Sequence, residues 1–298
     1  MLTVSAHIEL LKSVRLNSFP SGSSINYHNN QLYLVGDDAN HILVLDTNYR
    51  TVQSLRLFNY STKRIPKEKK ADLETATFIE NSLLILGSAA TDARKQALLL
   101  PIINGRADIK QLLKPDFYNN ALLTELKMLG IKEVNIEGSA LVGDHLLISN
   151  RGNLGNQQNH IIFININFLS DQNDLRLFAK ELALPNIKQF AGVSELCYIP
   201  SKDILFYTLS SEATSSAYTD GAIGDSFVGC THRFSQKLQQ PVIEPDELVN
   251  LTTVHAAFKN QKIEGICAES VQNDSLVMHL VADDDKGHSQ LFRIRVKV

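Results

Sequence analysis

One layout recurs five times along this chain, and it restricts the fold more than any single motif. The segments are SSINYHNNQLYLVGDDA (23–39), ADLETATFIENSLLILGSAA (71–90), NIEGSALVGDHLLISNRGN (135–153), VSELCYIPSKDILFYTLSSEA (193–213) and KIEGICAESVQNDSLVMHLVADDD (262–285). Each opens with a short strand of small and apolar residues, turns through polar residues, and continues into a more apolar strand that stops at small, polar or charged residues. A third strand follows each time: HILVLD (41–46), QALLLPI (96–102), HIIFINI (160–166), SFVGCTHRF (226–234) and QLFRIRV (290–296). Fourth, outer strands are expected at TVQSLRL (51–57), DIKQLL (108–113) and LRLFAKEL (175–182). Units of about 40–60 residues with three or four strands each predict the blades of a β-propeller.

The expected fold is therefore all-β, a single propeller domain over 1–298 with five blades favoured; six remain open if 231–260 hides a degenerate blade. The last unit has no room for an outer strand. The N-terminal run HIELLKSVRL (7–16) can supply it, closing the ring and removing an exposed sheet edge. Helical periodicity is confined to NALLTELKMLG (120–130), with Asn119 or Asn120 as cap and Gly130 as stop, read as an insertion near 119–130 between the second and third units.

Four units carry a glutamate early in the first strand: Glu74, Glu137, Glu195 and Glu264, 63, 58 and 69 residues apart. Ser24 takes the matching place in the first unit, 13 residues before Asp37, as Glu137 stands 13 before Asn150. The innermost strand of a blade lines the central channel, so these carboxylates are expected to face one another across roughly 10 Å. At such spacing each like-charge pair costs on the order of 1–3 kcal/mol at an effective dielectric near 20. Protonation or a cation relieves that cost, and an all-oxygen set suits Ca²⁺ or Mg²⁺. The competing reading is that each Glu bonds backbone amides of the next blade.

The strand ends predict a second ring at the same mouth, drawn from Asp37, Asp38, Ser88, Asn150, Arg151, Ser211, Glu212 and Asp283 to Asp285, with Arg94 adding positive charge. Tyr218 and Asp220, in the long loop 210–224, are further candidates for contacting a ligand at that mouth.

At these residues the chain resembles a bacterial group of phytase-like and esterase-like β-propellers. The matching pieces are the DLE-T and NIEG-A strand starts, LLILGS, SNRGN, SELCY…SSEATSSAYTDGAIG and IEGI…VADDDKGHSQLFRIRV, spread over most of 23–298. The resemblance implies calcium held by acidic residues around the axis and a phosphate bound through that calcium; the basic residues on offer beside it are Arg94 and Arg151.

Other chemistry finds little footing. The net charge is −3, so no positive field draws nucleic acid or an anionic membrane. The basic run from Lys63 to Lys70, broken by Pro66 and Glu68, reads as a solvated loop. Cys197, Cys230 and Cys267 show no paired spacing, and the nine histidines show no zinc-protease pattern. Gly224-Asp225-Ser226-Phe227 lacks the elbow and the partner histidine of a serine hydrolase. No signal-peptide pattern is visible, which places the chain as written in the cytoplasm, with export open to a form whose leader has been removed. Three functions remain: a cation-binding propeller taking a small anionic or sugar-like ligand at its axial mouth, with or without hydrolytic activity; a non-enzymatic binding propeller; and a glycosidase-type hydrolase using two mouth carboxylates.

Overall fold

A computed structural model describes residues 7–185, 187, 189–212, 223–284 and 287–298. The N-terminal strand β1 (Ile8–Leu16) precedes the first blade, which is β2 (Gly22–His28), β3 (Gln31–Gly36), β4 (His41–Asp46) and β5 (Thr51–Arg56). The second blade is β6 (Leu73–Ile79), β7 (Ser82–Gly87), β8 (Ala97–Ile103) and β9 (Arg106–Ala107). The third is β10 (Ile136–Val142), β11 (His145–Asn150), β12 (Asn159–Asn165) and β13 (Leu177–Leu182), extended by the parallel strand β17 (Val242–Ile243). The fourth is β14 (Ala191–Ile199), β15 (Ile204–Glu212), β16 (Ile223–His232) and β18 (Glu247–Asn250). The fifth is β19 (Lys262–Val271), β20 (Ser275–Asp283), β21 (Ser289–Lys297) and, as its outer strand, β1.

The ring has five blades. The stretch 231–260 holds no sixth; it gives one strand to each of two existing blades, β17 and β18. The expected closure is present: β1 runs antiparallel to β21, from Ile8 opposite Val296 to Leu16 opposite Ser289. The outer strand expected at 108–113 is instead the two-residue β9, then a 3₁₀ turn at Ile109–Gln111 and a single bridge from Leu113 to Leu99. The side chain of Asp108 accepts the Lys110 amide and starts that turn, so local capping competes with extension there.

Inner hairpins of the first three blades close through two-residue loops, Asn29-Asn30, Glu80-Asn81 and Gly143-Asp144. Positive φ at Asn29, Asn30, Glu80 and Gly143 is what such tight turns demand. The apolar core is divided into five parts, one between each pair of neighbouring blades. Tyr33 and Val35 meet Leu83 and Ile85; Leu84 and Leu86 meet Ile136 and Ile148; Leu147 and Phe163 meet Val193 and Leu205. Phe206 and Val228 then meet Ile266 and Leu280, and Val281 and Leu291 return to Ile25 and Leu34. The expected helix forms at α1 (Asn120–Met128), with Asn119 capping the Leu122 amide and Leu122 and Leu126 buried against the second and third blades.

Candidate functional site

Each inner strand carries a β-bulge close to its start, and the bulges set the register around the axis. In the first, second, third and fifth blades the unpaired residues are Ser23, Glu74, Glu137 and Glu264. In the fourth blade Ser194 and Glu195 together oppose one residue. Matching the flanking pairs makes Ser23, Glu74, Glu137, Ser194 and Glu264 one ring, and Ser24, Thr75, Gly138, Glu195 and Gly265 the next. The register expected for Ser24 and for Glu195 is thus one residue out in the first blade and in the fourth.

That single step separates the four glutamates. Glu74, Glu137 and Glu264 line the mouth, whereas Glu195 lies in the ring beneath it. Its carboxylate accepts the Ser24 hydroxyl at 2.5 Å, the Thr75 hydroxyl at 2.7 Å, and the amides of Ser139 and Leu196 at 2.8 and 3.0 Å. Glu195 therefore follows the amide-bonding alternative and joins four blades. Burial pushes its carboxyl up to about 8, against the pull of these donors. The glycines of the NIEG and KIEG motifs make room for this layer: a Cβ on Gly138 would stand 2.9 Å from Glu195 Cα, and one on Gly265 2.8 Å from the Ile25 nitrogen.

The mouth is built from three registers. Ser21, Asp72, Asn135, Gly192 and Lys262 precede the bulge ring by two residues, on the same face of their strands. The ends of the second strands add Asp37, Arg151, Ser210 and Asp283. Ser88 holds the corresponding place in the second blade, where its hydroxyl bonds Asp72. Asn150 is buried one residue earlier and accepts the Asn135 amide at 2.7 Å, a structural role. Asp38 is buried, pairs with Arg64 and lines the cavity that adjoins the mouth. Tyr218 and Asp220 lie outside the described residues.

Four cations neutralise most of this acid, and the sequence reading found only two. Lys70 bridges Asp37 and Asp72, and Arg94 pairs with Asp72 at 2.9 Å. Lys262 stands 3.1 Å from Glu264 and 3.4 Å from Glu212. Arg151, at 9 % exposure, donates to the hydroxyls of Ser194 and Ser210 at 2.8 and 2.9 Å. It lies 3.7–4.0 Å from Glu137, Glu212 and Glu264. A Cβ on Gly192 would fall 2.5 Å from the Arg151 Nε, so that glycine is what lets the guanidinium in. The Lys63–Lys70 run is accordingly not a wholly solvated loop. Lys67 and Lys70 line the mouth, and Arg64 reaches Asp38.

The remaining charge sits on Asp37, Asp72 and Glu74, which each bring an oxygen within 4.8 Å of the other two. Burial would raise Asp72, but Lys70, Ser88 and Arg94 outweigh it and hold that carboxyl below its ordinary value. Burial carries Asp37 up to about 6 despite Lys70. Glu74 is raised well above the carboxylate range by burial and by the charges of Asp72, Glu137 and Asp37. Glu137 is pushed up to about 7 by burial, with Arg151 opposing. Among the described residues Glu74 makes no hydrogen bond or ion pair, and Asp37 Oδ1 is buried without a hydrogen-bond partner. The residues enclose about 90 Å³, and an outer vestibule of about 390 Å³ shares Asp37, Lys67, Lys70, Lys262 and Asp283 with it. At ~30 Å³ per water, the inner chamber has room for an ion with a few waters and the vestibule for a small organic molecule.

Five blades around a charged axial chamber define this protein as a five-bladed β-propeller. No helix among the described residues is long and apolar enough to cross a membrane. The chain belongs to the family of unknown function DUF6929, whose model matches residues 18–296. No curated protein sequence matches it. Among solved structures it is similar to a glutaminyl cyclase from Myxococcus xanthus, with 11 % identity, 99 % of this chain and 98 % of that chain covered, and a TM-score of 0.55. A tail fiber of Staphylococcus aureus phage P68 gives 13 % identity, 98 % and 53 % coverage and a TM-score of 0.51. Virginiamycin B lyase from Staphylococcus aureus gives 9 % identity, 98 % and 99 % coverage and a TM-score of 0.40. Identities this low speak for the fold alone. The match to the glutaminyl cyclase supports the propeller part of the resemblance seen in the sequence and lends nothing to its phytase part.

Proposed function

We propose that the protein is a ligand-binding propeller whose inner chamber takes a divalent cation on Asp37, Asp72 and Glu74. A small anionic or hydroxyl-rich molecule then occupies the vestibule beside Lys67, Lys70 and Lys262. The observation that carries this reading is the carboxylate triad itself. Three carboxyls crowd within reach of one another against Lys70 and Arg94, and a buried Asp37 oxygen lacks a hydrogen-bond partner. Oxygen donors alone favour Ca²⁺ or Mg²⁺ over softer ions. Bound there, the ion would offset the mutual repulsion of the three carboxylates and would present positive charge toward the vestibule. The residues of this chain would orient the ligand: Lys70 keeps Asp37 and Asp72 in place, and Arg94 keeps the second Asp72 oxygen turned away.

Thermal melts of chelator-treated protein, with and without Ca²⁺ or Mg²⁺, test the reading. The expected gain is about 2.7 kcal/mol at a hundredfold excess over Kd. Glu74→Gln and Asp37→Asn each remove it. Absence of a shift with either ion sinks the proposal.

One observation favours a hydrolytic use of the same chamber. Burial and its acidic neighbours push the Glu74 carboxyl up while Lys70 holds Asp72, two residues earlier, down, and carboxyls drawn apart in this way suit general acid and base work. A phosphoester or glycoside turned over by wild type and not by Glu74→Gln supports an enzyme. Ligand binding without turnover across such a panel supports the non-enzymatic propeller.

A further inference from the structure

On the outer side of the fourth blade, away from the axis, β16 ends in Cys230-Thr231-His232. Residues two apart on a strand share a face, so the Cys230 thiol and the His232 ring project together. The neighbouring strand β18 places Glu247 directly opposite Cys230. His232 Nε2 stands 3.5 Å from Cys230 Sγ and 3.4 Å from Glu247 Oε1, and all three donors fall within 4.8 Å of one another.

These separations match the edges of a metal tetrahedron. Bonds of about 2.3 Å to sulfur and about 2.0–2.1 Å to nitrogen and oxygen put adjacent ligands about 3.5 Å (S to N) and about 3.4 Å (N to O) apart. A second observation points the same way. Glu247 Oε2 is buried with no hydrogen-bond partner. Asp246, the nearest other carboxylate in sequence, is already engaged by the His232 amide at 2.7 Å and by Lys237 at 3.2 Å, so the ligand set stops at three.

We propose that Cys230, His232 and Glu247 form a metal site for a zinc-class ion, with one coordination position open. Thiolate and imidazole select borderline ions such as Zn²⁺ over the hard cations suited to the axial carboxylates, so the two sites differ in chemistry as well as place. His232 and Glu247 border a cleft of about 780 Å³ that Lys202, Arg233, Lys237 and Asp246 also line, with cations in excess. That cationic lining suits water or an anionic ligand as the fourth donor. A thiol binds a metal as its thiolate, so metal binding displaces a proton to solution and affinity rises with pH.

Cobalt substitution provides the test, because a thiolate–cobalt bond absorbs in the near ultraviolet and the axial carboxylates cannot produce that band. Chelator-treated wild type titrated with Co²⁺ is expected to develop the band at one equivalent per chain, release protons, and lose the band when Zn²⁺ is added. Cys230→Ser abolishes it, Glu247→Gln weakens Co²⁺ binding at least tenfold, and Glu74→Gln leaves it unchanged. His232→Ala, at a half-exposed position, serves as a second variant if Cys230→Ser melts early. Wild type without the band overturns the proposal. So does a band that survives in Cys230→Ser, which would assign the metal to Cys197 or Cys267.

Discussion

The Ser24 hydroxyl donates to Glu195 Oε2 at 2.5 Å, a bond from the inner strand of the first blade to that of the fourth. These blades are not neighbours, because the inner strands contact in the order first, second, third, fourth, fifth and back to first. The bond therefore spans the axis. With Thr75 of the second blade and the Ser139 amide of the third, it makes Glu195 a hub for four of the five sheets.

Removal of that hub is expected to be costly. Glu195→Ala leaves four donors buried without an acceptor, and a loss of about 3 kcal/mol or more should follow. Glu195→Gln keeps the shape and one carbonyl acceptor and should lose less. Urea unfolding measures both. A Glu195→Ala midpoint equal to wild type would show that the axial bonds contribute nothing.

Arg151 is the corresponding positive centre of the mouth. Arg151→Met strips the shared counter-charge from Glu137, Glu212 and Glu264, and a loss of about 3–5 kcal/mol is expected at neutral pH. Glu137 already sits near 7, so mild acid protonates it and the deficit should shrink. Unfolding free energies at pH 7.5 and pH 5.5 check the sign. A deficit that grows in acid contradicts the account.

His279 sets a slope of its own. Its buried ring accepts the Tyr49 hydroxyl at Nδ1 (2.8 Å) and donates from Nε2 to Glu269 (2.9 Å), which fits the neutral ring. Arg293 holds the other Glu269 oxygen at 2.8 Å. Burial lowers His279 to about 4, with Glu269 opposing. The folded value lies below the unfolded one, so this stability is complete above about pH 6.5 and is lost as pH falls toward 4, at no more than about 1.4 kcal/mol per pH unit. Wild type should lose more stability than His279→Gln between pH 7 and pH 4.5. Parallel curves would reject the assignment.

Ring closure is tested by truncation. Deleting residues through Leu16 bares the β21 edge from Ser289 to Val296 and removes Ile8 from the core between the fourth and fifth blades. Aggregation and a lower melting temperature are expected. A soluble truncated protein that melts with wild type would refute the closing role of β1.

Much of the fold was legible because strand chemistry is local. LLILGS, HILVLD and QLFRIRV announce their period and their stops without reference to anything distant. Glu74, Glu137 and Glu264 were legible for the same reason, since a repeat copies its register. What failed was the count by one residue in the first and fourth blades. A bulge adds a residue without changing composition, so Ser24 and Glu195 looked equivalent to glutamates they do not match. Lys70 and Lys262 were missed because a basic residue beside a strand looks solvated until its neighbours are placed. The alternation by two, from Asp72 to Glu74 and from Lys262 to Glu264, carried the available signal. Cys230 and Glu247 were beyond reach, because their pairing depends on β18, a strand with no periodic signature of its own.

The pairing of β1 with β21 also bears on how the protein is made. Glu9 and Arg295, joined at 2.6 Å, are 286 residues apart in the chain. A strand that precedes the blades in the chain must wait for one in the last of them, so the second, third and fourth blades can each condense on their predecessor while the ring stays open. Contacts of such long range are slow to form and leave an edge available to other chains in the interval. The final step of folding is thus also the one that withdraws this edge from its neighbours, and crowding during synthesis would act on the seam before it acts on any blade.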